Sequence, residues 1–218
     1  MLITIEGIDG CGKTTSAEYL VSKLRDRGLK VIHTRELGGT QLAEILRELV
    51  ITDIYSSSGL TDLLMAFASR MDHVEKVIKP ALDAGEVVIC ERFIDSTYAY
   101  QLTDPSYKDN LSLVRGLFYD LEVIIKKHIR DYHTLYLDIP IEESTKRLVG
   151  RKLDKFEKDQ AIQCRVVKGY SDRIAQDPKR FLRVNANQSL EGVKVELDVI
   201  VEKISTSLIS PEEPDFLT

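Results

Sequence analysis

A chain of 218 residues with 43% hydrophobic content can bury one substantial core and has the length of a single α/β domain. A net charge of −5 without any long basic run excludes the electrostatic footprint of a nucleic-acid binder, so the arginines are expected to act locally. No stretch approaches the ~20 apolar residues of a membrane span, strand-like residues stand where a signal peptide would, and cysteines 11, 90 and 164 show neither CxxC spacing nor even pairing, which together predict a soluble, cytoplasmic protein.

Residues 2–6 read as a buried strand. They run into Gly7-Ile8-Asp9-Gly10-Cys11-Gly12-Lys13-Thr14, which matches GxxxxGK[ST] without a mismatch, and from Lys13 onward the spacing of Ala17, Leu20, Val21 and Leu24 predicts a helix. Strand, glycine loop and helix in that order make a phosphate-binding loop. Its glycines let successive N–H groups point inward, Lys13 supplies a mobile cation for the β- and γ-phosphates, and Thr14 offers a hydroxyl to Mg²⁺. A nucleoside triphosphate is therefore expected on Gly7, Ile8, Asp9, Gly10, Cys11, Gly12, Lys13, Thr14 and Thr15. Cys11, at a variable loop position, is expected as an exposed thiol and Cys90 as a core residue.

Further strand-like runs fall at 30–34, 86–90, 134–138 and 181–185, with helix-patterned segments between them. Gly28 is placed to end the first helix. Leu60, Leu63, Leu64, Phe67, Met71, Val74 and Ile78 keep helical spacing, with Pro80 bending the end. Asp104-Pro105 marks a turn, and 111–129 forms another long helix. Helices are also expected at 141–149 and 160–175, around the charged stretch 151–158. That stretch is too polar for a core and suits a mobile lid at about 150–158. Residues 193–208 fit both strand alternation and a helix, and their length favours a helix. The tail 210–218, with two prolines and three acids, is expected to fray, leaving 1–209 as one domain. The alternation predicts an α/β fold with a five-stranded parallel sheet and helices on both faces.

In an open parallel sheet, ligands bind beyond the carboxyl ends of the strands. There the second run continues into Thr34-Arg35-Glu36-Leu37-Gly38-Gly39-Thr40 and the third into Glu91-Arg92-Phe93. Two arginines and two carboxylates thus converge beside the phosphate loop, and arginine forks clamp phosphates. NKxD, DxxG and LSGGQ motifs are absent, which argues against a switch GTPase or an ABC-type ATPase. The remaining reading is a small kinase that passes the γ-phosphoryl of ATP to a second phosphorylated molecule, with a lid that excludes water.

From about position 2 to 189 these residues resemble the thymidylate kinase family. Residues 34–40 are similar to its TREPGGT, with Leu37 in place of proline, and residues 88–101 to its strand followed by DRY and SxxAYQ. Tyr136-Leu137-Asp138-Ile139-Pro140, then Arg147, Arg151, Glu157, Gly169 and Tyr170, fit the remainder in order. The resemblance implies a P-loop NTPase-type fold, an ATP:dTMP phosphotransferase producing dTDP, use of Mg²⁺, and a homodimer built on the long helices. A deoxynucleoside monophosphate kinase of broader base range is the near alternative. A catalytically silent nucleotide-binding protein is the distant one, opposed by Lys13, Thr14 and Arg92.

By the same resemblance Asp9 would hold the acceptor's 3′-hydroxyl. Arg92 and Arg47 would grip its phosphate, with Arg35 and Glu36 close by. Arg70 would donate to the thymine carbonyl, Thr97 and Gln101 would face the base, and Tyr100 would crowd the sugar's 2′ position. Glu91 would sit near Mg²⁺ through water. Gly10 leaves no cation in the loop, so the catalytic charge beyond Lys13 and Arg92 falls to the lid, with Arg151 leading and Lys152 and Lys155 as rivals. Three positions depart from the family pattern: Glu91 replaces an aspartate, Leu37 a proline, and Ala66 a stacking phenylalanine. Ala66 implies a wider base pocket or a shifted helix, while Phe67 is expected in the core.

Overall fold

The structure, a computed structural model, describes residues 1–52, 57–129, 132–150, 156 and 159–209. Arg151, Lys152 and Lys155, with most of the expected lid, and the tail 210–218 lie outside the described residues. Strands β1 (Leu2–Glu6), β2 (Val31–Arg35), β3 (Val87–Glu91), β4 (Tyr132–Asp138) and β5 (Phe181–Asn185) form one parallel sheet in the order β2-β3-β1-β4-β5. The helices are α1 (Lys13–Asp26), α2 (Gln41–Ile51), α3 (Gly59–His73), α4 (Lys79–Asp83), α5 (Ile94–Thr97), α6 (Leu111–Lys126), α7 (Ile141–Leu148), α8 (Gln160–Gln176) and α9 (Leu190–Ile209). The segment 193–208 is helical, as its length favoured: Val193, Leu197, Ile200, Val201 and Ile204 turn inward while Val195 and Val199 are exposed. Helix α3 passes through a π-helical segment, Val74–Ile78, into α4, where Pro80 removes one backbone donor. Among the described residues no helix is long and apolar enough to cross a membrane.

Because side chains alternate along a strand, parity decides which layer each residue joins. Ile3 and Ile5 of β1 join Ala17, Leu20 and Leu24 of α1 and Leu197 and Val201 of α9 in one core. Leu2 of β1 and Val88 and Cys90 of β3 join Phe67 of α3, Phe93 and Phe118 of α6 in the other. The same rule governs the polar residues at the carboxyl edge. Glu6 has the parity of Leu2 and turns to the α5 side. Glu91 has the parity of Ile89 and turns to α1. Strand β2 pairs Thr34 with Cys90 and Arg35 with Glu91, so Arg35 shares the α1 face while Thr34 and Glu36 point towards α3.

Candidate active site

Two of the cavities at this carboxyl edge hold the residues expected to bind donor and acceptor. The first is lined by the loop residues Asp9, Gly10, Cys11, Gly12, Lys13, Thr14 and Thr15, with Arg147, Gln188 and Leu190 opposite. Lys13 Nζ donates to the carbonyls of Gly7 at 3.2 Å and Ile8 at 3.0 Å and lies 3.5 Å from Asp9 Oδ1. Gly7 and Ile8 thus serve the cavity from behind, and the Ile8 side chain belongs to the core. Gly10 has φ 81°, and a Cβ there would come within 2.6 Å of the Ser144 carbonyl of α7, so the fold itself excludes a cationic side chain at this loop position. Thr14 Oγ1 donates to Glu91 Oε2 at 2.6 Å, and His33 Nε2 lies 3.0 Å from Glu91 Oε1. Cys11 corrects the sequence expectation. The inward curl of the loop leaves it 3% exposed, and burial pushes its thiol up, away from reactivity.

The second cavity is lined by Asp9, Glu36, Arg47, Arg70, Arg92, Thr97, Tyr100 and Gln101, with Leu37, Val50, Ile51, Phe93, Ser96 and Phe156. Its geometry starts at Arg92, a non-glycine residue with φ 64° whose N–H donates to Ile5 O at 2.9 Å. The guanidinium donates from Nη1 to Gly7 O at 3.2 Å, Ser96 Oγ at 3.2 Å and Tyr170 Oη at 3.3 Å. From Nη2 it reaches Asp9 Oδ1 and, at 3.2 Å, Tyr100 Oη. Tyr100 Oη donates in turn to Asp9 Oδ2 at 2.9 Å. Burial alone would raise the Asp9 carboxyl, but the charges of Arg92 and Lys13 outweigh it and hold the group far below the carboxylate range. Asp9 is therefore ionised and able only to accept.

Beneath this group lies Glu6, a fully buried carboxylate that the sequence reading passed over. It accepts from the N–H groups of Phe93 at 2.6 Å and Ser96 at 3.2 Å, from Ser96 Oγ at 2.6 Å and from Tyr170 Oη at 2.8 Å. A charged residue inside an otherwise apolar strand was the available signal.

Arg70 is 1% exposed. Its Nε donates to Glu36 Oε2 at 2.6 Å, and its Nη2 to Phe93 O and Thr97 Oγ1, both at 3.0 Å. Its Nη1, although buried, makes no hydrogen bond among the described residues. The rings of Phe67 and Phe93 flank the guanidinium at 5.3 and 5.2 Å. Arg47 Nη1 donates to Leu37 O at 3.2 Å from the cavity rim.

Two of the positions singled out in the sequence lie outside this cavity lining. Arg35 is absent from this lining; parity turns it to the α1 face, where it is 49% exposed at its side chain and pairs with Glu44 at 2.9 Å. Ala66 is fully buried and does not line the cavity, whose apolar walls come from Leu37, Val50, Ile51 and Phe93 instead. Phe67 packs edge-on against Phe118, with ring centroids 5.5 Å apart, in the core where it was expected.

A family model described as thymidylate kinase matches residues 5–197. The chain belongs to the thymidylate kinase family. It is 41% identical over 209 residues to a thymidylate kinase of Pseudomonas putida strain F1, an alignment that covers 94% of this chain and 96% of the relative. The thymidylate kinases of Pseudomonas putida strain GB-1 and Pseudomonas entomophila strain L48 are 41% and 40% identical over 207 residues, with the same coverage. For a thymidylate kinase family member, the substitutions Leu37, Ala66 and Glu91 are local. The parallel sheet, the phosphate loop and the arginine-lined cavity are all present around them.

Proposed function

We propose that this protein is a dTMP kinase that transfers the γ-phosphoryl of ATP to dTMP, giving dTDP and ADP. The observation that carries the reading is the position of Asp9, which lines both cavities and so marks where a donor on the phosphate loop would meet an acceptor. Holding both reactants in one enclosed geometry supplies most of the catalysis in phosphoryl transfer.

On the donor side, Lys13 would exchange its loop carbonyls for the β- and γ-phosphates. The oxygen donors of Thr14 and Glu91, already 2.6 Å apart, form a hard set that fits Mg²⁺. When bound, that ion would neutralise charge on the phosphate oxygens. On the acceptor side, ionised Asp9 would accept from the 3′-hydroxyl, and Arg92 and Arg47 would bind the acceptor phosphate. Arg70 Nη1 would donate to the base carbonyl. Thr97 and Gln101 would complete the base site, and Tyr100, fixed on Asp9, would leave no room for a 2′-hydroxyl. Glu36 would act through Arg70, and Arg35 has no part in this scheme. The family resemblance implies that the remaining catalytic cation comes from the lid, with Arg151 leading and Lys152 and Lys155 as rivals.

Helix α6 exposes Leu113, Leu117, Val123 and Ile124, and α3 exposes Leu64, an apolar surface that supports a homodimer. The three free cysteines support a reducing, cytoplasmic setting. The deciding experiment is ADP release with dTMP, dUMP, dCMP and UMP as acceptors. The expected order puts dTMP and dUMP ahead of dCMP, whose amino group cannot accept from Arg70, and UMP last. Absence of turnover with dTMP, or preference for dCMP, would overturn the proposal.

A further inference from the structure

We infer that His73 is a positioning residue for base recognition: it holds one oxygen of Glu36, and by doing so sets the pose of Arg70 in which one guanidinium donor stays unspent for the base. The inference rests on the acceptor reading of the second cavity. His73 lies three residues after Arg70 on α3, hence on the same helix face, and is fully buried. Its Nδ1 is 3.1 Å from Glu36 Oε1, and its Nε2 is 2.7 Å from Thr34 Oγ1. Facing a carboxylate, Nδ1 donates to it, and Nε2 shares a hydrogen bond with the threonine hydroxyl.

The consequence lies in how Glu36 meets Arg70. A carboxylate and a guanidinium pair most strongly side by side, through two parallel hydrogen bonds. Here that pairing is prevented, because His73 engages Oε1 and only Oε2 reaches Arg70, at Nε. Nη2 is thereby left to Phe93 O and Thr97 Oγ1, and this three-point hold leaves the buried Nη1 without a hydrogen-bond partner among the described residues, in a side chain that lines the cavity. Were Oε1 released, the carboxylate would rotate onto Nη2, draw the guanidinium away from Phe93 and Thr97, and misalign Nη1. Gly39 completes the seat of the ring: its φ is 88°, and a Cβ there would come within 2.5 Å of His73 Cδ2 and Nε2. Ligand atoms of Glu36, His73 and Cys90 also lie within 4.8 Å of one another. Both carboxylate oxygens and both imidazole nitrogens are engaged by protein groups, however, so the cluster is an orienting network rather than a metal site.

The test compares base discrimination in wild type, His73→Leu, His73→Asn and His73→Gln, using kcat and KM for dTMP and dCMP. His73→Leu is expected to lower the dTMP to dCMP ratio of kcat/KM about tenfold through KM, with the KM for ATP within about twofold. His73→Asn presents its amide near the Nδ1 position and should restore most of the ratio, whereas His73→Gln presents it near Nε2 and should not. If His73→Leu fails to fold, the contrast between the asparagine and glutamine variants carries the test. Equal losses for both acceptors, or equal behaviour of the two amides, would overturn the inference. A wild type inactive on dTMP would instead overturn the acceptor reading on which it rests.

Discussion

Arg70 and Arg173 are both buried, both carried on helices and both flanked by two aromatic rings, yet only one has a donor left over. Arg173 of α8 donates from Nε to Asp95 at 2.7 Å, from Nη2 to Glu122 at 2.6 Å, and from Nη1 to Glu122 at 3.4 Å and Gln176 at 3.3 Å. Asp95 also accepts from Arg180 at 2.7 and 2.8 Å. Two carboxylates thus take up every nitrogen of Arg173, and Asp95 holds both terminal nitrogens of Arg180, whose Nε has only an ion pair to Asp177 at 3.3 Å. Arg70 has a single carboxylate, and its Nη1 has no hydrogen-bond partner among the described residues. Burial and ion pairing are therefore poor markers of function when taken alone. An unused donor alone does not settle it either, since Arg180 Nε also lacks a hydrogen bond among the described residues; what sets Arg70 apart is that it shares one cavity lining with Asp9, Arg92, Thr97 and Gln101.

This contrast can be broken most forcefully at Arg173. Arg173→Met would leave Asp95 to Arg180 and Glu122 to Lys126 alone and should remove ~3 kcal/mol of stability, measured by chemical denaturation. The folded enzyme should retain kcat/KM for dTMP within about threefold; a loss of about a hundredfold would mean that the closed cluster also serves the acceptor. Arg70→Leu should give the opposite pattern. Its kcat/KM for dTMP is expected to fall about a hundredfold, since a charged hydrogen bond and its alignment are both lost, with the KM for ATP nearly unchanged. Its stability loss should be the smaller, because His73 remains beside Glu36 to partner the carboxylate.

Acid titration sharpens the comparison further. Burial would raise Asp95, but Arg180 and Arg173 hold it down to about 2, below the ~3.9 of an unfolded aspartate. A depressed carboxyl contributes stability above its unfolded pKa and loses it as the pH falls through the folded one. Wild type should therefore lose on the order of 2 kcal/mol from this group between about pH 4 and pH 2, and Asp95→Asn should flatten that limb. Glu6 has the reverse sign. Burial first, and the charge of Asp95 next, push its carboxyl up, so its contribution is greatest below ~4.3 and declines as the pH rises through the folded value. Denaturation midpoints of Glu6→Gln and wild type from pH 3 to 7 would expose a wrong sign. The smallest effect is expected at Arg35, an exposed pair with Glu44. Arg35→Ala should change stability by under ~1 kcal/mol and the KM for dTMP by under about threefold.

The phosphate loop was legible because its chemistry is contiguous: the glycines, Lys13 and Thr14 act within one turn of backbone. The acceptor arginines were legible through motifs, but their directions were not. Strands expected at 30–34 and 86–90 in fact run Val31–Arg35 and Val87–Glu91. That shift of one residue makes Arg35 and Glu91 a ladder pair, and their shared face removes Arg35 from the acceptor cavity. Glu6 stayed hidden because its partners Phe93 and Tyr170 lie 87 and 164 residues away. Ala66 misled because a helical position fixes an angle about the helix axis, whereas the neighbour it meets depends on how α2 and α3 pack.

Glu6 is the residue immediately before the phosphate loop, and its carboxylate grips the amides that open α5, the helix that carries Thr97. The two halves of the site are thereby registered to one another by Glu6, together with Arg92, before either substrate arrives. The span between them is a fixed dimension of the protein. An inhibitor that bridges both cavities should accordingly respond sharply to the length and stiffness of its linker, while changes made at its two ends should be tolerated independently.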